Sequence, residues 1–411
     1  MNKIISVNSD RLWSRMMEMA QHGALPGGGC NRQALTDEDR AGRELFMSWC
    51  KDIGCSIRID QIGNIFARLA GEDDSLAPVI TGSHLDTQPS GGKYDGIYGV
   101  LAGLEVLQTL VENGVQTNRP LEVVVWTNEE GCRFDTAMMG SAVWSGSMPL
   151  EKAYALADRE GHTVKSELQR TGQLGSTPAL AGQVHAALEL HIEQGPVLEA
   201  EEKHIGVVNG VQHMSRHRVI IYGQEAHAGP TPMSLRKDPV MALAKILPPL
   251  YALADQYDPE GRVTFGYLDA SPGSSNTVPG KLEITVDIRH PNESSYRAML
   301  DGYRLAVEQA CNSFSLEFEL ECFWEALGIE FNPDCIAAVR AATQSRGYRY
   351  RDMISGAGHD ACNISAVVPT SMIFIPCKGG LSHNEAESAE PEHVTMGANV
   401  LLDAMLSLAT K

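Results

Sequence analysis

The chain has 411 residues, 43% of them hydrophobic and 21% charged, with a formal net charge of −19 at pH 7. That length exceeds what one hydrophobic core organises, so two domains are expected. The acidic balance, with no Lys/Arg cluster, argues against nucleic acid and anionic membrane surfaces as partners, because both are held by basic patches. The first twenty residues lack the apolar core and small-residue cleavage site of a signal peptide. No run approaches the roughly 20 apolar residues of a membrane span. Nine scattered cysteines without a CxxC pair suit reduced thiols in a cytoplasmic protein.

In chain order, Ser9 is placed to cap a first helix carrying Leu12, Trp13, Met16 and Met19 on one face. The stretch from Thr36 to Asp39 reads as a capping box for a second helix, with Leu45, Phe46 and Trp49 as its apolar stripe and Gly54 as its stop. Strands are expected near 56–60, 64–69 and 78–82, a helix near 97–112, then strands near 121–127 and 186–191. Several of these, APVIT and LEVVVW among them, are unbroken apolar runs, as in strands covered by helices on both faces. The class is α/β. After Gly210 the pattern changes to strand RHRVIIYG, a helix near 238–256, strands RVTFGYL and KLEITVDIRH, a helix near 294–312 and strand SLEFELECF. That β-α-β-β-α-β order predicts a ferredoxin-like α+β unit inserted as one piece. The expected domains are therefore 1–211, the insertion 212–326, and 327–411 as the second part of the first domain.

The chemistry lies in polar residues at the ends of apolar strands, where α/β sheets bind their ligands. Strand APVITG runs into His84 and Asp86, and the glycine-rich loop GGKYDGIYG then presents Asp95 at the mouth of a helix. Strand LEVVVW ends at Glu129 and Glu130, strand AALEL at His191 and Gln194, and His383 follows strand SMIFIP. Singly, such residues are more often structural histidines or solvated turns. Together, three His, one Asp and one Glu form a nitrogen–oxygen set suited to Zn²⁺, Mn²⁺, Co²⁺ or Ni²⁺. Asp95 is the candidate bridge, because one carboxylate can share its two oxygens between ions about 3.5 Å apart. Glu129 and Glu130, as neighbours on an extended strand, are expected to point to opposite sides, one to metal and one to water. The glycine runs near 26–29 and at 91–92 lack the Lys-Ser/Thr pair of a phosphate loop.

Across nearly the whole chain, GGGCNRQALTDEDR, GNIFARLAG, TGSHLDTQPSGGKYDGIYGV, NEEGCRF, ELHIEQGPVLE, AHAGPTPMSLRKDP, NTVPGKLEITVDIRHP, SGAGHDA and GLSHN follow one another in order. In these motifs the sequence resembles the hydantoinase/carbamoylase family of amidohydrolases, relatives of aminoacylase and the glutamate-carboxypeptidase-type metallopeptidases. The resemblance implies a mixed-sheet, metallopeptidase-like catalytic domain with an inserted lid and dimerisation domain, a homodimer, and two divalent ions per subunit. It places His84 and His191 on one ion, Glu130 and His383 on the other, and Asp95 between them. Glu129 matches the general base, and Asp86 would orient His84. On the substrate side it implies Arg289 gripping a carboxylate with its planar fork, Gln194 and Asn276 as polar contacts, His227 steadying the oxyanion, and Gly358 and His359 as further contacts.

The implied reaction is cleavage of the carbamoyl C–N bond of an N-carbamoyl L- or β-amino acid, giving ammonia, carbon dioxide and the amino acid. Allantoate amidohydrolase shares these residues, but GVQHMSRHR does not carry the Gln-Arg-Arg pattern associated with allantoate enzymes. His191 stands where many peptidase relatives have Asp or Glu, which disfavours an aminoacylase or dipeptidase. An intact base beside an intact ligand set argues against a non-catalytic metal-binding scaffold.

Overall fold

The apolar runs become strands in a computed structural model that describes residues 5–410; the first four residues of the N-terminal stretch lie outside them. Before the insertion come β1 (Ser56–Ile59), β2 (Ile65–Leu69), β3 (Val79–His84), β4 (Leu121–Trp126), β5 (Ala186–Ile192) and β6 (Ile205–Val211). Next are β7 (His213–Tyr222), β8 (Ala226–His227), β9 (Arg262–Ser271), β10 (Thr277–Val278), β11 (Lys281–His290) and β12 (Glu317–Ala326). Then follow β13 (Ile329–Glu330), β14 (Tyr350–Ser355) and β15 (Thr370–Ile375). The chain divides into two compact units, Met1–Gly210 with Glu330–Lys411, and Val211–Ile329.

The first unit is built on a mixed sheet in the order β1-β2-β4-β3-β5-β15-β6, continued by β13 and β14 beside β6. Strands β4, β3, β5 and β15 run parallel, so their carboxyl ends open at one end of the sheet. β3, β4, β5 and β15 are buried along their whole length because helices cover both faces. The helix Ile97–Glu112 is apolar on nearly every side and accordingly buried from Ile97 to Leu107. It packs with Leu12, Val125, Leu190 and Leu401 in the main core.

Two helix starts differ from the sequence reading. Asn8, not Ser9, caps the first helix, because its side chain accepts the Arg11 N–H while Ser9 is already helical. At the second helix Thr36 Oγ1 accepts the Asp39 N–H, but the Asp39 carboxylate accepts from Leu35 N and Arg43 Nε at 2.8 and 2.9 Å. Only half of the capping box therefore forms. The fully buried Arg43–Asp39 pair instead locks this helix to the loop carbonyl of Gly63.

The second unit is a four-stranded antiparallel sheet in the order β12-β7-β11-β9, with the helices Pro239–Gln256 and Glu293–Ser313 against one face. The alternation of KLEITVDIRH puts Leu282, Ile284, Val286 and Ile288 into that core and turns Asp287 and Arg289 to the other face. A short ribbon pairs β8 with β10. Among the described residues, no helix is long and apolar enough to cross a membrane, and no disulfide links the cysteines.

Candidate metal centre

The candidate ligands lie at or after the ends of parallel strands, except Asp95, which lies in the turn before the helix Ile97–Glu112. His84 closes β3, His191 is the penultimate residue of β5, Glu129 and Glu130 follow β4, and His383 lies on the loop after β15. His383 itself and two non-glycine residues near the ligands, Asn128 and Gln194, have φ of 54, 56 and 56°. Such left-handed backbone costs free energy and persists only where the surroundings enforce it, which is common at functional sites. Gly96 has φ +69°, and a Cβ there would lie 2.3 Å from His84 Nε2. Glycine is required both by the turn and by the closeness of the imidazole.

Two overlapping ligand groups result, each with its donor atoms within 4.8 Å of one another: His84, Asp95 and His191, and Asp95, Glu130 and His383. Asp95 Oδ1 is 3.1 Å from His191 Nε2 and 3.8 Å from His84 Nε2, while Asp95 Oδ2 is 3.3 Å from His383 Nε2. Glu130 Oε2 lies 3.4 Å from His383 Nε2. The outer ring nitrogens are tied back to carbonyls, His84 Nδ1 to Asp86 O at 2.8 Å and His191 Nδ1 to Ile192 O at 2.9 Å. A carbonyl only accepts, so Nδ1 carries a proton in both rings, which leaves Nε2 on the side of Asp95 as the atom that can take an ion or a second proton.

Asp86 does two things at once. It reaches His84 through its backbone carbonyl, while its carboxylate accepts the Glu129 and Glu130 N–H groups at 3.2 Å each. That contact arranges the glutamate pair, and so does the left-handed Asn128. The two glutamates are past the end of the strand, so strand alternation is not what separates them. Glu129 Oε2 turns to His84 Nε2 at 3.5 Å, whereas Glu130 turns to His383 and to Gln88 Nε2 at 2.7 Å.

Burial and mutual repulsion set the charge states of these groups. Burial, followed by the charges of Asp360, Glu130, Asp86 and Asp95, pushes the Glu129 carboxyl well above its ordinary range. Burial and Asp95 push Glu130 up to about 8. The Asp95 hydrogen bond raises His383 to about 9. For His191, burial works downward, but the Asp95 hydrogen bond and charge still lift it to about 9. Opposed acids gathered out of water are an arrangement that divalent cations relieve. The donor set is oxygen and imidazole nitrogen, so the residues present fit a pair of divalent ions sharing Asp95.

The other predicted site residues fall into two sets. In the first unit, Gln194 Nε2 donates to Asp95 Oδ2 at 2.9 Å and to Ser382 Oγ at 3.2 Å. His359 is buried edge-on to His191, with ring centroids 4.6 Å apart, and its Nε2 is 3.0 Å from Ser355 Oγ. Gly358 adjoins Met138. In the second unit, His227 and Asn276 meet across the β8–β10 ribbon: His227 pairs with Thr277, and Ala228 N donates to the Asn276 carbonyl at 2.9 Å. His227 Nδ1 accepts the Gly229 N–H at 3.1 Å, which leaves Nε2 as the donor of the neutral ring. Arg289 is braced by Asp287 through contacts of 2.7 and 3.0 Å and borders a cavity of 280 Å³ with Arg216, Thr264, Thr285 and Phe323.

Two buried acids of the site escaped sequence reasoning. Glu189 accepts from Ser83 Oγ and Ala361 N at 2.7 and 2.8 Å and forms a further donor group with His191 and His359. Asp360 is fully buried, with Ser141 Oγ donating to Oδ1 and, among the described residues, no partner for Oδ2. Glu189 left a signal, a lone charge inside the apolar strand AALELHI. Asp360 left none beyond its place in SGAGHD.

Comparison with known proteins identifies the family. Residues 80–407 match the model of peptidase family M20/M25/M40. An N-carbamoyl-L-amino-acid amidohydrolase of Rhizobium meliloti is 46% identical over 98% of this chain and 97% of its own length. An allantoate amidohydrolase of Bacillus subtilis is 31% identical over 95% of each chain. The crystal structure of a hydantoinase/carbamoylase family amidase from Burkholderia multivorans superposes with a TM-score of 0.96 at 47% identity, covering 99% of both chains.

Proposed function

The chain belongs to peptidase family M20/M25/M40, among its hydantoinase/carbamoylase amidases, and within that family we propose that it hydrolyses the carbamoyl C–N bond of N-carbamoyl L- or β-amino acids. The observation that carries the reading is Asp95 shared between two ligand groups, with the Glu129 carboxylate beside them and not needed by either. The greater identity to the N-carbamoyl-amino-acid enzyme than to the allantoate enzyme supports this substrate class over allantoate.

For this reaction His84, Asp95 and His191 would hold one divalent ion and Asp95, Glu130 and His383 the other. Ions bound there would polarise the scissile carbonyl and acidify the attacking water. Glu129 takes the proton of that water and returns it to the departing nitrogen, as a group that gives and receives one proton must. Glu129 is suited to this because burial and its acidic neighbours raise its affinity for a proton. Asp86 keeps the two glutamates on separate tasks through their backbone N–H groups.

Roles for two groups of the inserted unit follow from their own chemistry. His227 offers an Nε2–H donor for the developing oxyanion, an interaction worth about 3–4 kcal/mol in comparable sites. Arg289, its plane set by Asp287, is proposed to grip the substrate carboxylate with its planar fork. Gln194, Asn276, Gly358 and His359 are proposed as substrate contacts, and the inserted unit as the face of a homodimer.

A panel of N-carbamoyl-L-amino acids, N-carbamoyl-β-alanine, allantoate, N-acetyl-amino acids and dipeptides, scored by ammonia or amine release, tests the reading. The N-carbamoyl compounds should turn over best. Preferred turnover of dipeptides or N-acetyl-amino acids would overturn it.

A further inference from the structure

Beyond the ligands themselves, one buried acid ties the two loops that carry Asp95 and His383. Glu387 is only 5% exposed. Its Oε1 accepts the N–H of Tyr94 at 3.0 Å and that of Asp95 at 3.1 Å. Its Oε2 lies 3.0 Å from Ser382 Oγ, the residue before His383. The same hydroxyl is 3.0 Å from Asp95 Oδ2, and having one proton it donates to one of the two carboxylates at a time. A circuit therefore runs from the Asp95 backbone through Glu387 and Ser382 to the Asp95 side chain.

The fold makes room for this contact. A Cβ on Gly92 would come within 2.0 Å of Glu387 Oε1, so only glycine lets the carboxylate reach the loop backbone. The Glu387 N–H is itself held by Asn384 O at 3.0 Å, which fixes the turn immediately after His383. A buried carboxylate whose partners are two backbone N–H groups and a hydroxyl is costly to bury and serves orientation better than it serves stability.

We propose that Glu387 is a positioning residue that sets Asp95 and His383 in register, so that one carboxylate serves both ligand groups. The inference rests on the two-ion reading above. Without Glu387 the loop from Gly92 to Gly96 and the loop from Leu381 to Glu387 keep their own turns but lose the common anchor. Outer partners of metal ligands typically contribute 10- to 100-fold to ion affinity.

The test is ion affinity, measured by chelator competition with Zn²⁺ on the full chain, for wild type, Glu387→Ala and Glu387→Gln. Glu387→Ala should bind the weaker of the two ions about 10- to 100-fold less tightly. Glu387→Gln retains one oxygen for the two N–H groups and an amide toward Ser382, and should stay within about 3-fold of wild type. If Glu387→Ala lowers the urea midpoint of the ion-free protein yet holds both ions as tightly as wild type, Glu387 is only a brace and the proposal falls. If Glu387→Ala does not fold, Ser382→Ala breaks the same circuit and should weaken the same ion; unchanged affinity there overturns the proposal. A wild-type chain that binds no Zn²⁺, Mn²⁺, Co²⁺ or Ni²⁺ would refute the two-ion reading itself, a separate outcome from these.

Discussion

Replacing Gly96 with alanine probes how closely the centre is packed. The position has φ +69° and ψ −50°, a γ-turn closed by the Ile97 N–H donating to Asp95 O at 2.8 Å, which alanine adopts at a cost of about 1–3 kcal/mol. The added methyl would stand 2.3 Å from His84 Nε2, 2.4 Å from Cε1 and 2.5 Å from Cδ2. Reaching ordinary van der Waals separation requires the ring or the loop to give way by about 1 Å, and a misplacement of that size costs about 100-fold in turnover. Because Gly96 also precedes the helix Ile97–Glu112, the denaturation midpoint should fall by an amount matching that backbone cost while the fold survives. The assays are ammonia release at saturating substrate and ion, and ion content by plasma mass spectrometry. Gly96→Ala should lose about 100-fold in kcat and part of its ion content. A variant with wild-type kcat and a full complement of ions would refute the reasoning that His84 is a ligand held against this turn.

Glu129→Gln should keep its ions and lose at least 100- to 10,000-fold in kcat, the usual worth of a positioned acid–base group; near-normal turnover would remove Glu129 from the reaction. Arg289→Ala should raise KM for carboxylate substrates far more than for their carboxamide counterparts, measured as the ratio of kcat/KM values. An unchanged ratio would exclude Arg289 as the anchor. Arg43→Met strands the buried Asp39 carboxylate and should destabilise the first unit by about 3–5 kcal/mol in urea unfolding. A loss below about 1 kcal/mol would show that the pair adds little.

Much of this was legible in the sequence because apolar strands with abrupt polar ends leave a strong pattern. The ends of APVITG, LEVVVW, AALEL and SMIFIP delivered His84, Glu130, His191 and His383 to one end of the parallel strands, and Asp95 to the turn among them. What stayed hidden depends on single backbone choices. The division of labour between Glu129 and Glu130 comes from the left-handed Asn128 and the Asp86 carboxylate, not from strand alternation. Asn8 outcompetes Ser9 as a cap because both types accept N–H bonds and only the backbone angle decides. Glu387 reads as one more surface acid in HNEAE until the fold brings Gly92 against it. The short helices Met139–Ser145, Leu150–Ala155 and Val164–Arg170 have too few turns for a periodic signal.

The most direct test is anomalous diffraction at the absorption edge of Zn or Mn, from crystals of the chain loaded with that ion. Two peaks are predicted per chain, one enclosed by His84, Asp95 and His191, the other by Asp95, Glu130 and His383. A map with no peak touching Asp95, or with a single ion bound elsewhere, would contradict the account.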